Sequence, residues 1–392
     1  MRAGIFLFGG VEMPDAGPGA PAPTDRSYDN AEVWRATEQI VECGVLADRL
    51  GFDSFWTTEH HFQYEGYEVV PNGTLLNVIL AERTEQIRLG TMFNVLGQWH
   101  PLKLAEDFAT LHNISGGRGV LGIGRGTVPR EAETLGTKIG SFDNPDAVSA
   151  DEFNRLQFDE AIDVIRLALD NESFSFKGEV FEFPPPGIPD RGGFVETLRL
   201  LPRPLYPYEI WQAVTSPPTL DYVPRKGYGG VMWLKNHKFL TENWHRFAEI
   251  WEEAHGVALA PGAHRTLVLN TCIADSREEA IDMVRPGHDE FWKFLGPYGW
   301  SRGYKGADGK PAPGGLIPSL EESLDNKVWA VGTPEDVAAE IDQWDERLGG
   351  LANVVFFPAM LGDPYSRVED QMTRLAEEVL PLVGKSSTAV AR

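Results

Sequence analysis

Cysteine, positive charge and long apolar runs are all scarce in this chain. Cys43 and Cys272 are the only thiols in 392 residues. Two cysteines are too few for a disulfide framework and suit a reducing compartment, so a cytoplasmic location is expected. Lys and Arg together number 35 against 58 Asp and Glu, a formal charge of −23. That balance argues against nucleic acid and anionic membranes as partners, because both demand concentrated basic residues. Any phosphate held here needs a local group of cations and amides, so each well-placed arginine carries information. No stretch of about 18 apolar residues occurs, which excludes a membrane-spanning helix. The apolar run at residues 4–8 has no cleavage-site pattern beside it and reads as a first strand rather than a signal peptide.

What the chain does contain is regular alternation. Strand-like runs fall at residues 4–8, 52–57, 87–96, 119–124, 209–214, 229–233, 266–274 and 353–357. Helical patterns lie between them at 31–50, 74–83, 101–114, 156–170, 217–226, 239–255, 276–294 and 333–348. In the last of these Thr333 suits an N-cap, Pro334 the first helical position, and Val337, Ile341, Trp344 and Leu348 share a face. Alternation of this kind implies parallel strands joined by crossover helices, and eight repeats favour a closed (β/α)8 TIM barrel over an open sheet. Composition and length allow one large core, so a single domain over residues 1–392 is expected, with long inserted loops at the C-terminal face. Four segments exceed a minimal barrel: 9–30, 127–150, 171–208 and 287–327. The last carries Trp292, Tyr298, Trp300 and Tyr304 among glycines and is expected to be an active-site lid.

Chemistry-bearing residues gather at strand ends. Residues 52–62 run Phe-Asp-Ser-Phe-Trp-Thr-Thr-Glu-His-His-Phe, an apolar strand passing into a carboxylate, two histidines and an aromatic. Barrels keep their chemistry at strand C-termini, and histidine moves protons near neutral pH. Neighbouring residues of a strand face opposite ways, so His60 and His61 cannot share one pocket or one metal, and no metal is expected. Glu59 either orients an imidazole or closes an ion pair with a helix. The segment 122–126, Gly-Ile-Gly-Arg-Gly, lacks the spacing of a dinucleotide fingerprint. It reads as a strand end whose glycines admit a flat ring, with Arg125 supplying positive charge. Residues 211–219 carry a strand into a helix capped by Ser216. Because Pro217 and Pro218 lack N–H groups, an anion at that helix start must rely on Ser216 and Thr219. Met92 and Phe93 read as ordinary core, and His100 as structural.

Three segments together carry a resemblance: 51–62, ending in Glu-His-His-Phe; 100–126, from His-Pro-Leu-Lys to Gly-Ile-Gly-Arg-Gly; and Val-Gly-Thr-Pro-Glu at 331–335. In order and spacing they resemble the bacterial luciferase family of flavin-dependent monooxygenases, whose fold is a (β/α)8 barrel. The resemblance implies that His60 lies beside the flavin as general acid/base. It implies that Arg125, Arg155, Ser216 and Thr219 meet the flavin phosphate, and that the Met92–Phe93 backbone lies against the isoalloxazine, often around a cis peptide. Gly124 stands where bacterial luciferase has a cysteine next to the flavin. The Glu-His-His-Phe box is more similar to the FMN-using branch than to the F420 branch. The chemistry so implied is oxygenation of a small apolar substrate, such as an aldehyde or ketone, through a flavin C4a-hydroperoxide. Reduced FMN would come from a separate reductase, since no reductase region is present, and the family commonly forms homodimers. Phe62, Phe93, Trp211, Trp233, Trp292 and Trp300 would exclude water from the adduct. Two alternatives stay open: an F420-dependent oxidoreductase on the same barrel, and a flavin-binding barrel without turnover.

Overall fold

Eight parallel strands close on one another in the computed structural model, which describes residues 1–17, 19–139, 147–303 and 317–385. They are β1 (Arg2–Phe6), β2 (Ser54–Thr57), β3 (Arg88–Thr91), β4 (Gly119–Gly124), β5 (Ile210–Ala213), β6 (Gly229–Met232), β7 (Arg265–Ile273) and β8 (Asn353–Phe357). Each pairs with the next in sequence, β4 joins β5 through Leu121 opposite Ile210, and β8 returns to β1 through Asn353 opposite Arg2. The barrel is therefore shut and has no free edge. β7 is buried at all nine positions, as a parallel strand covered on both faces must be.

Helices wrap the strands: α1 (Asn30–Arg49), α2 (Gly73–Arg83), α3 (Pro101–Ile114), α4 (Pro129–Thr134), α5 (Ala147–Asp170), α6 (Pro217–Arg225), α7 (His237–His255), α8 (Arg277–Leu295), α9 (Leu320–Asp325), α10 (Pro334–Leu348) and α11 (Tyr365–Arg374). α10 forms as its sequence dictates. Thr333 and Asp336 cap each other's N–H groups, Gly349 ends the helix at φ 63°, and Val337, Ile341, Trp344 and Leu348 are buried. Among the described residues no helix is long and apolar enough to cross a membrane.

Several expectations need correction. The run 87–96 is not one strand. β3 stops at Thr91, a cis Met92–Phe93 peptide follows, and Asn94–Val95 pairs separately with Ile123 and Gly124. An unexpected strand, Trp329–Gly332, pairs with the far half of β7, Asn270–Ile273. α5 begins at Ala147, so Arg155 sits inside that helix and not at its start. Not every long insertion is at the C-terminal face. Segment 171–208 precedes β5, folds into two short hairpins, and reaches the N-terminal ends of β5 and β6. Of the expected lid, residues 287–295 belong to α8, and 304–316, with Tyr304, lie outside the described residues.

Candidate active site at the C-terminal rim

A cavity of about 420 Å³ opens where the strands end, lined by Met92, Gly124, Gln212, Val231 and Val268 among others. A larger cleft of about 810 Å³ lies at the opposite end, beside the starts of β5 and β6. Its titratable groups are occupied structurally: Asp170 accepts from the Tyr208 hydroxyl at 2.6 Å, Glu209 pairs with Arg88 at 2.9 Å, and His264 stacks on Trp251. The smaller cavity is the candidate site, because only there do acid/base groups converge beyond the strand C-termini.

His60 stands in the wall of that cavity between two carboxylates. Its Nε2 is 2.7 Å from Glu68 Oε2 and its Nδ1 3.0 Å from Glu131 Oε1. Glu68 reaches it from the loop after β2, and Glu131 from α4, entered through Pro129. Burial on its own would lower the imidazolium, but the charge of Glu68 and the contact with Glu131 outweigh it and raise His60 to about 10. Glu68 is pushed up, chiefly by burial. Glu131 is buried too, yet its bonds from His60 and Gln63 hold it below the ordinary carboxylate range. Glu59 makes no helix ion pair. Its carboxylate accepts the Trp99 indole N–H at 2.8 Å, and His61 Nε2 lies 3.5 Å away.

Aromatic rings form the rest of the wall. Trp233 packs edge-on against Phe6, Phe8 and Trp300, and its indole donates to Asn270 Oδ1 at 2.6 Å. Besides Glu68 Oε2, two polar atoms of the cavity lining remain buried without a hydrogen-bond partner among the described residues, Gln212 Oε1 and Trp300 Nε1. Buried polar atoms ordinarily find partners, so an acceptor and a donor of this wall await a bound molecule. Gly124 leaves the strand end flat, and a Cβ there would come within 3.0 Å of Phe93 Cβ.

The far rim is cationic. Arg125 donates to Asp151 at 2.9 Å and to Asn154 at 3.3 Å, and Arg155 reaches the same Asp151 at 3.4 Å. Two guanidinium groups therefore share one carboxylate. The start of α6 is closed on itself. Thr219 Oγ1 accepts the N–H groups of Thr215 and Ser216 at 3.1 and 3.0 Å, and Ser216 Oγ caps Thr219.

The luciferase-like monooxygenase family model matches residues 1–350. The chain belongs to that family. Limonene 1,2-monooxygenase of Rhodococcus erythropolis is 28% identical over 84% of this chain and 77% of that protein. The F420-dependent glucose-6-phosphate dehydrogenase of Amycolatopsis mediterranei is 25% identical over 87% of this chain and 93% of its own length. With two uncharacterized proteins of Sinorhizobium fredii the match spans only 35% and 47% of their lengths. The barrel also superposes with a TM-score of 0.72 and 22% identity on the oxygenating constituent of 3,6-diketocamphane monooxygenase from Pseudomonas putida. That structure holds FMN, and the match covers 98% of this chain and 99% of that one.

In this chain the cavity gathers His60, Met92, Phe93, Gly124, Arg125, Thr219, Trp233 and Trp300 from the residues singled out in sequence. Five others lie elsewhere. Phe62 adopts φ 58° and is half exposed outside the cavity. Trp211 points opposite to its neighbour Gln212, donates to Glu209 and lines the N-terminal cleft, as strand alternation requires. Trp292 is wholly buried, bonded to His288 one turn earlier on α8. Arg155 stands behind Asp151, and Ser216 is spent as a cap. Tyr298, expected in the lid, does line the cavity, whereas sequence reasoning passed over Glu68, Glu131 and Gln212. Of these, only Gln212 carried a signal, being a polar residue inside an apolar strand.

Proposed function

We propose that the protein is the oxygenase of a two-component FMN-dependent monooxygenase acting on a small apolar organic substrate. One observation carries this reading: a proton-handling cluster at His60 and a cationic rim at Arg125 face the same ring-walled cavity. The residues fit the cofactor. Gly124 offers a flat surface, Gln212 Oε1 a spare acceptor, and Arg125, with Thr127 and Thr215 nearby, a polar mouth for an anionic tail. When bound, reduced FMN supplies the electrons that activate dioxygen, and the protein contributes position and shelter. Phe6, Phe8, Trp233 and Trp300 exclude water and favour an apolar substrate. His60 and its two carboxylates hold the proton that oxygen insertion requires. Tyr298, Gly299 and Trp300 line the cavity and act as its lid.

Separate reductase supply accords with a relative from Acinetobacter baylyi, the oxygenase component of a flavin-dependent trigonelline monooxygenase, 36% identical over 28% of this chain. A homodimer accords with Leu75 and Ile79, one turn apart on α2 and both exposed. Leu75→Glu should then convert a dimer to a monomer in sedimentation velocity, and an unchanged wild-type monomer would remove the dimer from the proposal. The F420-dependent relative keeps a second reading in view. Anaerobic titration with reduced FMN and reduced F420 decides between them, followed by mixing with oxygen. We expect FMN to bind more tightly and an oxygen-dependent flavin absorbance transient to follow. Preferential F420 binding without oxygen reactivity would transfer the protein to the dehydrogenase branch. Arg125→Ala removes a charge-assisted contact of about 1.5–3 kcal/mol, so FMN affinity should fall about ten- to a hundredfold.

A further inference from the structure

Three ionisable groups meet on one side of the cavity, and their charges do not cancel. Glu68 and Glu131 bring two carboxylates to the single imidazole of His60. With all three charged, one negative charge is left buried beneath the Phe294 ring, whose centroid is 6.1 Å from that of His60. Among the described residues no further cation acts on Glu68. The neighbouring Arg130 is taken by Glu65 through two bonds of 2.7 and 2.9 Å, and Tyr298 is a neutral phenol. An isolated buried charge of this kind binds a proton instead.

The two carboxylates are not equivalent. Glu131 accepts from Gln63 Nε2 at 2.7 Å and from His60 Nδ1 at 3.0 Å, and the His61 backbone N–H adds to these. Glu68 is equally buried, but His60 is its one cationic neighbour, and Oε2 lies 2.7 Å from Nε2 without an aligned hydrogen bond. A carboxylate with several donors stays ionised, and one with few takes the proton. Glu68 also faces the cavity directly.

We propose that Glu68 is the proton-exchanging group of this cavity, with His60 a permanent imidazolium that positions it and Glu131 the fixed counter-charge. The assignment rests on the reading of the cavity as a flavin oxygenase site. In the step it performs, the Glu68 O–H bond breaks and the proton passes to a basic oxygen atom in the cavity. The electron pair stays on the carboxylate, which then meets His60 as a full ion pair. Solvent water returns the proton afterwards. The directions of the three shifts agree: Glu68 up, Glu131 down and His60 up.

Infrared difference spectroscopy of the flavin-free protein with carboxyl-labelled glutamate tests this directly. At neutral pH a protonated carboxyl band should vanish in Glu68→Gln and persist in Glu131→Asp, which keeps the counter-charge. Retention of that band in Glu68→Gln, or no band from the unmodified protein, would overturn the assignment. If Glu68→Gln does not fold, Glu68→Asp serves, because the band must then shift, whereas Glu131→Asp must leave it in place. In the flavin-loaded enzyme Glu68→Gln should lower kcat about a hundredfold or more while reduced-FMN affinity is kept. The spectra need no flavin, so a failure of FMN to bind would sink the oxygenase reading and leave the proton assignment standing or falling separately.

Discussion

His60 is a histidine whose neighbours change what it does. A free imidazole titrates near neutrality and serves equally as acid or base. Here the charges of Glu68 and Glu131 overcome the opposing effect of burial and lift it to about 10. Because the folded state binds this proton more tightly than the unfolded chain, the stabilisation is complete below the ordinary histidine range, near 6.5. It is lost as pH rises through about 10. Glu131 behaves oppositely: lowered in the fold, it stabilises above the ordinary carboxylate range, and that contribution disappears as pH falls. His60→Asn should therefore lower the melting temperature clearly at pH 7, by an amount equivalent to about 3 kcal/mol, since the buried Glu131 carboxylate loses its cation. The gap between wild type and variant should narrow steadily from pH 7 towards pH 10. A gap that widened with pH would mean that the imidazole is neutral in the fold.

At the level of elements, what could be read in the sequence was whatever repeats or caps. The strand–helix alternation, the α10 cap and the placement of His60 and Arg125 at strand ends all follow from local pattern, and the closed barrel brings the latter two to one cavity. Glu68 and Glu131 were not legible, because Glu68 lies in an irregular connection and Glu131 in a helix of six residues, too short for periodicity to mark which way a side chain faces. Trp211 and Trp292 mislead for a related reason. An aromatic near a rim is as useful to the core, and only the register of β5 and the phase of α8 decide which it joins. The start of α6 shows a third limit, since residues suited to an anion also suit a cap. With Thr219 Oγ1 accepting two backbone N–H groups, Thr219→Val should cost about 1 kcal/mol in urea unfolding. FMN affinity should fall far less than in Arg125→Ala. An equal or larger fall would restore Thr219 as a direct phosphate ligand.

Over the whole molecule, the site depends on a contact between chain segments 264 residues apart. Arg26, in the loop after β1, has a buried side chain that meets Asp15 at 2.7 Å and Glu290 of α8 at 3.2 Å. Burial works against its charge, and these carboxylates more than compensate, so the guanidinium is held protonated. Glu290 also accepts from the Tyr67 hydroxyl and from Lys293, both at 2.8 Å. Tyr67 stacks on Phe294 with ring centroids 5.0 Å apart, and Phe294 is the ring set against His60. The latch thus fixes the wall behind the proton-handling cluster. Arg26→Met leaves Glu290 only partly compensated and should cost about 3 kcal/mol, the lower end for a broken buried pair because Lys293 remains. Glu290→Gln added to it removes the stranded charge, so the double variant should recover part of that loss in equilibrium unfolding. Strictly additive losses would show that Arg26 acts through packing alone, and the ionic latch would have to be abandoned.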